Sequence, residues 1–173
     1  MERSMPLHTA QSANPTIGQA RSAASIVSTP STDGVSRIQP GSHEAMLLLA
    51  QARNAAFEQA ALGRLGEGVN LLCNALEIEP TSVDLMSDVA ALLLSAGQLA
   101  DAALYAHQAI QIQPQHAPSL YTLAFALSGL GEVKAAIEVL TTLCQGEAAE
   151  MLKRETPELA PLVATELRRL QMT

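Results

Sequence analysis

Apolar residues recur at three- and four-residue spacing from Glu44 to Leu170, which is the period of helices that bury one face. Short breaks rich in Gly, Pro and polar residues divide this stretch into helix-length segments. The breaks fall at residues 63–66, 80–82, 97–98, 114–117, 129–131 and 145–146. Helices joined by turns this short pack antiparallel to their neighbours, so the pattern predicts an all-α domain over residues 44–173.

Residues 1–43 have a different character, being rich in Ser, Thr, Ala, Gln and Pro. Their large apolar residues are isolated and follow neither a helical nor a strand period. Such a segment buries too little surface to offset the entropy lost on ordering, so we expect a disordered arm. Two interpretations of the arm stay open, a plain leader and a docking segment that orders on a partner.

Landmarks in the helical part repeat every 34 residues. Gly63, Gly97 and Gly131 keep this interval, and so do Pro80 and Pro114. A glycine after a helix can take a positive φ without steric penalty, and a proline ends a helix because it cannot donate to the preceding turn. The interval therefore predicts three helical hairpins, with a glycine at the turn of each and a proline at the end of the first two.

Small residues repeat at the same interval inside the hairpins, where two helices cross or approach closely. They are Ala56, Ala90 and Ala124 in the first helices, and Gly68, Ala102 and Ala136 in the second helices. With the glycines and prolines, these positions resemble the tetratricopeptide repeats, with units at about 49–80, 83–114 and 117–146. Thr81 to Asp84 resemble a capping box that restarts the helix after Pro80.

The resemblance implies a short right-handed solenoid of three tandem hairpins. The third unit departs from the family pattern, with Ala148 where the closing proline would stand and Leu143 at the late small position. These changes are typical of a terminal repeat. Thr156 and Pro157 then predict a capping helix over about 157–170, with Thr156 as the N-cap and Pro157 at the first helical position.

In this family the first helix of each hairpin lines a concave groove that binds a polypeptide. The resemblance places nine residues there, namely Arg53, Phe57, Asp84, Ser87, Ala91, Leu94, Tyr121, Phe125 and Ser128. Three of the four aromatic residues of the chain fall on this face. Aromatic side chains are frequent interface anchors, so we expect an extended apolar peptide, although Phe57 and Phe125 also fit ordinary packing between hairpins.

Some family members bind a carboxylate at the end of a chaperone tail through Lys, Asn and Arg side chains. The corresponding positions here carry Phe57, Asp88 and Thr122, with Arg53 as the one basic residue nearby. The sequence therefore disfavours this type of binding.

The formal net charge is −7, and every charged residue between Leu65 and Val133 is acidic. A basic footprint for nucleic acid is thus missing. No stretch reaches the length of a membrane span, and the N-terminus lacks the apolar core of a secretory signal, so we expect a cytoplasmic protein.

Residues that carry chemistry are sparse. Cys73 and Cys144 are expected to be buried, reduced thiols, and His107 and His116 to lie at the surface without a carboxylate or cysteine partner. No catalytic triad, metal site, phosphate loop or cofactor motif is found. We therefore expect a protein-binding module and not an enzyme.

The layout of arm, three repeats and capping helix also resembles the translocator chaperones of bacterial type III secretion. That resemblance implies a membrane-inserting client that is kept soluble until export, and it leaves a homodimer through the N-terminal part open. The alternative function is a scaffold or assembly factor of an envelope or secretion complex that has no folding duty.

Overall fold

The computed structural model of the chain describes residues 41–173, so the arm expected over residues 1–43 lies almost wholly outside the described part. The described residues form helices joined by turns and contain no strand. The helices are α1 (His43–Ala61), α2 (Leu65–Ile78), α3 (Val83–Ser95), α4 (Leu99–Ile112), α5 (Ala117–Gly129), α6 (Val133–Leu143), α7 (Gly146–Glu155) and α8 (Ala160–Gln171), with a 3-10 turn at Pro157–Leu159.

The helices α1 to α6 form three consecutive hairpins, α1–α2, α3–α4 and α5–α6, and each hairpin packs on the next. Contacts between α3 and α5 also join the first helices of the second and third hairpins. The last two helices pack on the third hairpin, where α7 contacts α5 and α6 and α8 contacts α6. The prediction of a three-hairpin solenoid with a C-terminal cap is therefore confirmed.

Turn glycines and side-chain caps set the helix ends. Gly97 has a φ of 74°, in the left-handed region, and Gly63 and Gly131 adopt the same conformation one repeat away. At the start of α3 the cap is Ser82, whose Oγ accepts a hydrogen bond from the Leu85 N–H. The cap thus lies one residue later than the Thr81 expected from the capping-box pattern.

Small residues bring the two helices of each hairpin together. Ala56, Ala90 and Ala124 are fully buried, as expected for crossing positions. The closest approach involves Gly68 of α2, because a Cβ added there would lie 2.7 Å from the backbone oxygen of Ala56. The α1–α2 crossing therefore leaves no space for a side chain at position 68.

The C-terminal part differs from the sequence-based expectation. Residues 146–155 form α7, which the sequence analysis did not assign, and Ala148 and Leu152 are its buried positions. A 3-10 turn then occupies Pro157–Leu159, so the regular α-helix begins at Ala160. The Thr156 side chain makes no capping hydrogen bond. We call α7, the 3-10 turn and α8 together the cap.

The core consists of three neighbouring clusters made mainly of leucine and alanine, with Leu72, Leu85 and Leu140 among the largest fully buried side chains. The expectation of buried thiols is wrong for Cys144, which is exposed at the end of α6. Cys73 is half-buried, and its Sγ lies 3.8 Å from the Tyr105 hydroxyl.

Candidate peptide-binding groove

A cavity of about 340 Å³ lies on the side of the solenoid formed by the first helices of the hairpins. Its walls come from α3, from α5 and from the cap, and we call it the main cavity. The lining residues are Ser87, Asp88, Ala91, Leu94, Ser95, Ala117, Pro118, Tyr121, Thr122, Leu152, Thr156 and Leu159. Its surface is mainly apolar, with hydroxyl groups and one carboxylate among the lining side chains, which is the usual make-up of a ligand-binding site.

A second cavity of about 170 Å³ adjoins the first and shares Ser87, Asp88 and Pro118 with it. We call it the charged cavity, because all of its other lining residues are ionisable. They are Arg53, Asp84, His116 and Glu155. An apolar space and a charged space thus lie side by side along the groove.

The only described arginine of the charged cavity is engaged by its neighbour. Arg53 Nε lies 2.5 Å from Asp88 Oδ2, an ion pair that joins α1 to α3. Burial of the Asp88 carboxyl raises its pKa, and this effect outweighs the lowering by the arginine. The hydrogen bond to Asp88 in turn raises the pKa of Arg53. Among the described residues that line the two cavities, the pair therefore leaves no arginine or lysine free for an incoming carboxylate.

His116 is buried, which contradicts the expected surface position. Its Nδ1 shares a 2.7 Å hydrogen bond with the Ser119 hydroxyl, and its Nε2 lies 3.6 Å from an Asp84 carboxylate oxygen. Burial lowers the pKa of His116, against the opposite effects of Asp84 and Glu155. The imidazole therefore favours its neutral form and serves to fix the start of α5 against α3.

The residues expected in the groove separate into three groups. Ser87, Ala91, Leu94 and Tyr121 line the main cavity, while Arg53 and Asp84 line the charged cavity together with Ser87. The other three are Phe57, Phe125 and Ser128, and they line neither cavity.

Two of the predicted aromatic residues stack on each other. The ring centroids of Tyr121 and Phe125 lie 4.5 Å apart at an angle of 33°. Phe125 is half-buried against the core that joins the third hairpin to the cap. Its contact with Tyr121 therefore restricts the position of the Tyr121 ring. Phe57, by contrast, lies on α1 and is 43% exposed.

Ser128 holds the cap at the far end of α5. Its hydroxyl donates a hydrogen bond to Glu166 of α8, and Arg169 contacts both of these residues. The hydrogen bond from Arg169 lowers the pKa of Glu166 to about 2, with a smaller contribution from Ser128. This three-residue cluster therefore fixes α8 beside the groove by a polar contact in addition to the apolar core.

The Glu166 contact predicts a dependence of stability on pH. Because the folded-state pKa is about 2 against an ordinary 4.5, the contact stabilises the fold above pH 4.5 and is lost as the pH falls toward 2. The partner arginine is mostly exposed, so we expect Glu166→Gln to lower the free energy of unfolding by only about 1 kcal/mol at pH 7. Urea unfolding at pH 7 and at pH 3 measures the difference.

The matched control is Glu158→Gln, which changes an exposed glutamate of the same cap. The control should unfold like the wild type at both pH values. If Glu166→Gln is as stable as the wild type at pH 7, the cluster does not hold the cap.

Among the cavity residues that sequence analysis did not place in the groove, three belong to the cap. Leu152 comes from α7, Thr156 from the junction and Leu159 from the 3-10 turn. Ala148 and Leu152 show the four-residue spacing of a buried helix face, but two positions are too few to predict α7. Nothing in the local sequence indicates that the segment reaches the groove.

None of the helices between residues 41 and 173 combines the length and apolar character that crossing a membrane requires. In the same range, no group of three or more His, Cys, Asp or Glu side chains is arranged to hold a metal ion.

The sequence profile of the tetratricopeptide repeat family matches residues 93–143, which include α4, α5 and α6. Among curated proteins, sequence comparison finds no match. Solved structures of the same fold include the TPR2B domain of yeast Sti1 in a complex with pHsp70, at 16% identity and a TM-score of 0.63. That alignment covers 73% of this chain and 98% of the Sti1 chain.

Two further structures of this fold are complexes with peptides. The second repeat domain of human RPAP3, bound to an HSP70 peptide, has 14% identity and a TM-score of 0.60 over 73% of this chain and 98% of its own. The type III secretion chaperone SycD of Yersinia enterocolitica, bound to a peptide of the translocator YopD, has 17% identity and a TM-score of 0.62 over 72% and 92%. SycD is also known as an alternative dimer.

Identities this low establish the fold alone, and the profile match adds the repeat type. Residues 93–143 therefore match the tetratricopeptide repeat family, and the described part of the chain has the fold of such repeat domains, including that of a type III secretion chaperone.

Proposed function

We propose that this protein binds an extended apolar segment of a partner protein in its groove and keeps that partner soluble, as a small secretion-type chaperone. The main cavity carries the proposal. It is a largely apolar space between α3, α5 and the cap, with half-buried Ala91, Leu94 and Tyr121 on its walls. An apolar side chain that leaves water for this cavity gains about 25 cal/mol for each Å² that it buries.

The charges around the cavity argue for an apolar partner over an acidic tail. Asp84, Asp88 and Glu155 border the charged cavity, and Arg53 is already paired with Asp88. A partner with a terminal carboxylate or acidic residues would meet like charges and find no unpaired arginine or lysine among the described lining residues. The groove therefore suits an uncharged or basic segment, and a chaperone tail that ends in acidic residues is disfavoured.

A chaperone role is supported by the fold shared with SycD, which covers 72% of this chain and 92% of SycD. The SycD structure contains a peptide of a translocator. The repeat domains compared above are found in complexes with peptides or chaperones, which is consistent with a binding role. The proposal places the protein in the cytoplasm and is compatible with a homodimer, and the alternative function is a scaffold without folding duty.

Capture from the native host followed by co-expression tests this proposal. The full chain is used as bait, and each captured protein is then produced alone and together with the bait. We expect at least one captured protein that is insoluble alone and soluble with the bait. If every captured protein is soluble alone and stays bound in a finished assembly, the protein is a scaffold and the chaperone proposal is wrong.

A further inference from the structure

The cap forms part of the main cavity in addition to covering the end of the solenoid. Thr156 and Leu159 line the cavity from the junction and the 3-10 turn, and Leu152 lines it from α7. Leu152 is almost fully buried and belongs to the core, whereas Leu159 is half-buried and keeps surface free toward the cavity. Of the two leucines, Leu159 is thus the one that an occupant of the cavity would touch.

Resting on the proposed function, we infer that the cap determines which side chain the groove accepts, with Leu159 as the specificity-determining residue. The occupant is an extended partner segment that places one large aliphatic side chain (Leu, Ile or Met) in the main cavity. The residues flanking that side chain are uncharged or basic, since they lie beside Asp84, Asp88 and Glu155.

The size of the cavity supports a single anchoring side chain. A volume of about 340 Å³ is at the lower end of ligand sites and holds one large side chain with a short stretch of backbone. Small residues on α3 and α5, Ala91 and Ala117, provide the space, and Leu94, Tyr121 and Leu159 provide apolar contact. The hydroxyl groups of the lining can hydrogen-bond the backbone of an extended segment.

The wall contributed by the cap is held at both ends of α5. At one end the Ala148 N–H of α7 donates to Gln115 Oε1 at 3.3 Å, and Ala148 is fully buried. At the other end Ser128 is bonded to Glu166 of α8. Between them the Leu159 N–H donates to the Thr156 carbonyl oxygen at 3.0 Å, which fixes the 3-10 turn. A cavity wall fixed in this way can select the anchoring side chain of the partner by its size.

Two substitutions at position 159 should change the size of the anchoring side chain that the main cavity prefers, in opposite directions. Leu159→Ala enlarges the cavity and should admit aromatic anchors, while Leu159→Phe narrows it and should favour Val or Ala. The matched control is Leu162→Ala, which removes the same side chain from α8, where it is 51% exposed and does not line the cavity.

The experiment selects a phage-displayed library of random 12-residue peptides on each full-length protein, with helix content checked by circular dichroism. Synthetic peptides that carry Leu, Phe or Val at the enriched anchor position are then compared by calorimetry. We expect the ratio of the Kd values for the Leu and Phe peptides to change roughly tenfold in Leu159→Ala and to stay at the wild-type value in Leu162→Ala.

The two proposals fail in different ways. If the wild type enriches peptides with a shared anchor, and both Leu159 variants keep the same preference, the cap does not determine specificity and the inference is wrong. If the wild type enriches no peptide at all, peptide binding in the groove fails, and the inference that rests on it fails as well.

Discussion

Gly68→Ala is expected to lower the free energy of unfolding by about 2 kcal/mol, although alanine is the better helix former. The new Cβ would lie 2.7 Å from the backbone oxygen of Ala56 and 3.0 Å from a methyl group of Leu92. A backbone atom cannot move aside as a side chain can, so α1 and α2 must separate and lose contacts along the crossing. Urea unfolding followed by circular dichroism measures the loss.

Gly66→Ala is the matched control for this substitution, because it makes the same change two residues earlier in α2. Nothing lies within 4 Å of a Cβ added at Gly66. The control should therefore keep or slightly raise stability, by about 0.5 kcal/mol, through the higher helix propensity of alanine. Equal stability of the two variants would show that the crossing is looser than described.

The repeat interval predicted the hairpins because each landmark depends on local backbone geometry. The positive φ of Gly97 and the buried position of Ala90 follow directly from their places in the repeat. The interval also marks position 68 as small, in register with Ala102 and Ala136. It cannot tell that glycine is required there, because that depends on the distance to Ala56 in another helix.

The cap was predicted only in part. Its final helix carries a recognisable start signal at Pro157, but α7 contributes just two buried residues, too few for a clear period. The contact of Leu159 with the groove depends on how α7 and α8 fold back on α5. Such a contact, some forty residues from Tyr121 along the chain, has no local sequence signal.

The groove residues illustrate the same limit. The family pattern indicates which face of a helix turns inward, but it does not indicate which residues on that face line a cavity. Tyr121 borders the main cavity, Phe125 packs against the core that the third hairpin shares with the cap, and Phe57 is exposed. Whether these residues touch a partner stays a prediction.

The expectation that His116 has no carboxylate partner was wrong, because sequence spacing does not show contacts between hairpins. Ser119 lies one turn away and is a local partner, but Asp84 approaches from the preceding hairpin. Packing of α3 against α5 brings these groups together, and burial then lowers the pKa of the imidazole. Spacing along one helix cannot reveal such a pair.

The second large effect concerns binding. Ala91→Phe places an aromatic ring into the main cavity from the middle of α3, where Ala91 is half-buried and lines the cavity wall. The ring would occupy the space that we assign to the anchoring side chain of the partner. Loss of a central anchor weakens binding by about 2 kcal/mol or more, so we expect the Kd to rise at least 30-fold.

The matched control is Ala100→Phe, which makes the same change at an exposed position of α4, outside the main cavity. Both variants should retain the helix content of the wild type. The control should bind with the wild-type Kd, since position 100 lines neither the main cavity nor the charged cavity.

The central claim is that an apolar partner segment occupies the main cavity, and calorimetric titration tests it most directly. The apolar segment of a captured client is titrated into the wild type, Ala91→Phe and Ala100→Phe. Our account predicts tight binding to the wild type and to Ala100→Phe, and a Kd at least about 30-fold higher for Ala91→Phe. An unchanged Kd for a folded Ala91→Phe variant would contradict it and place the partner elsewhere on the protein.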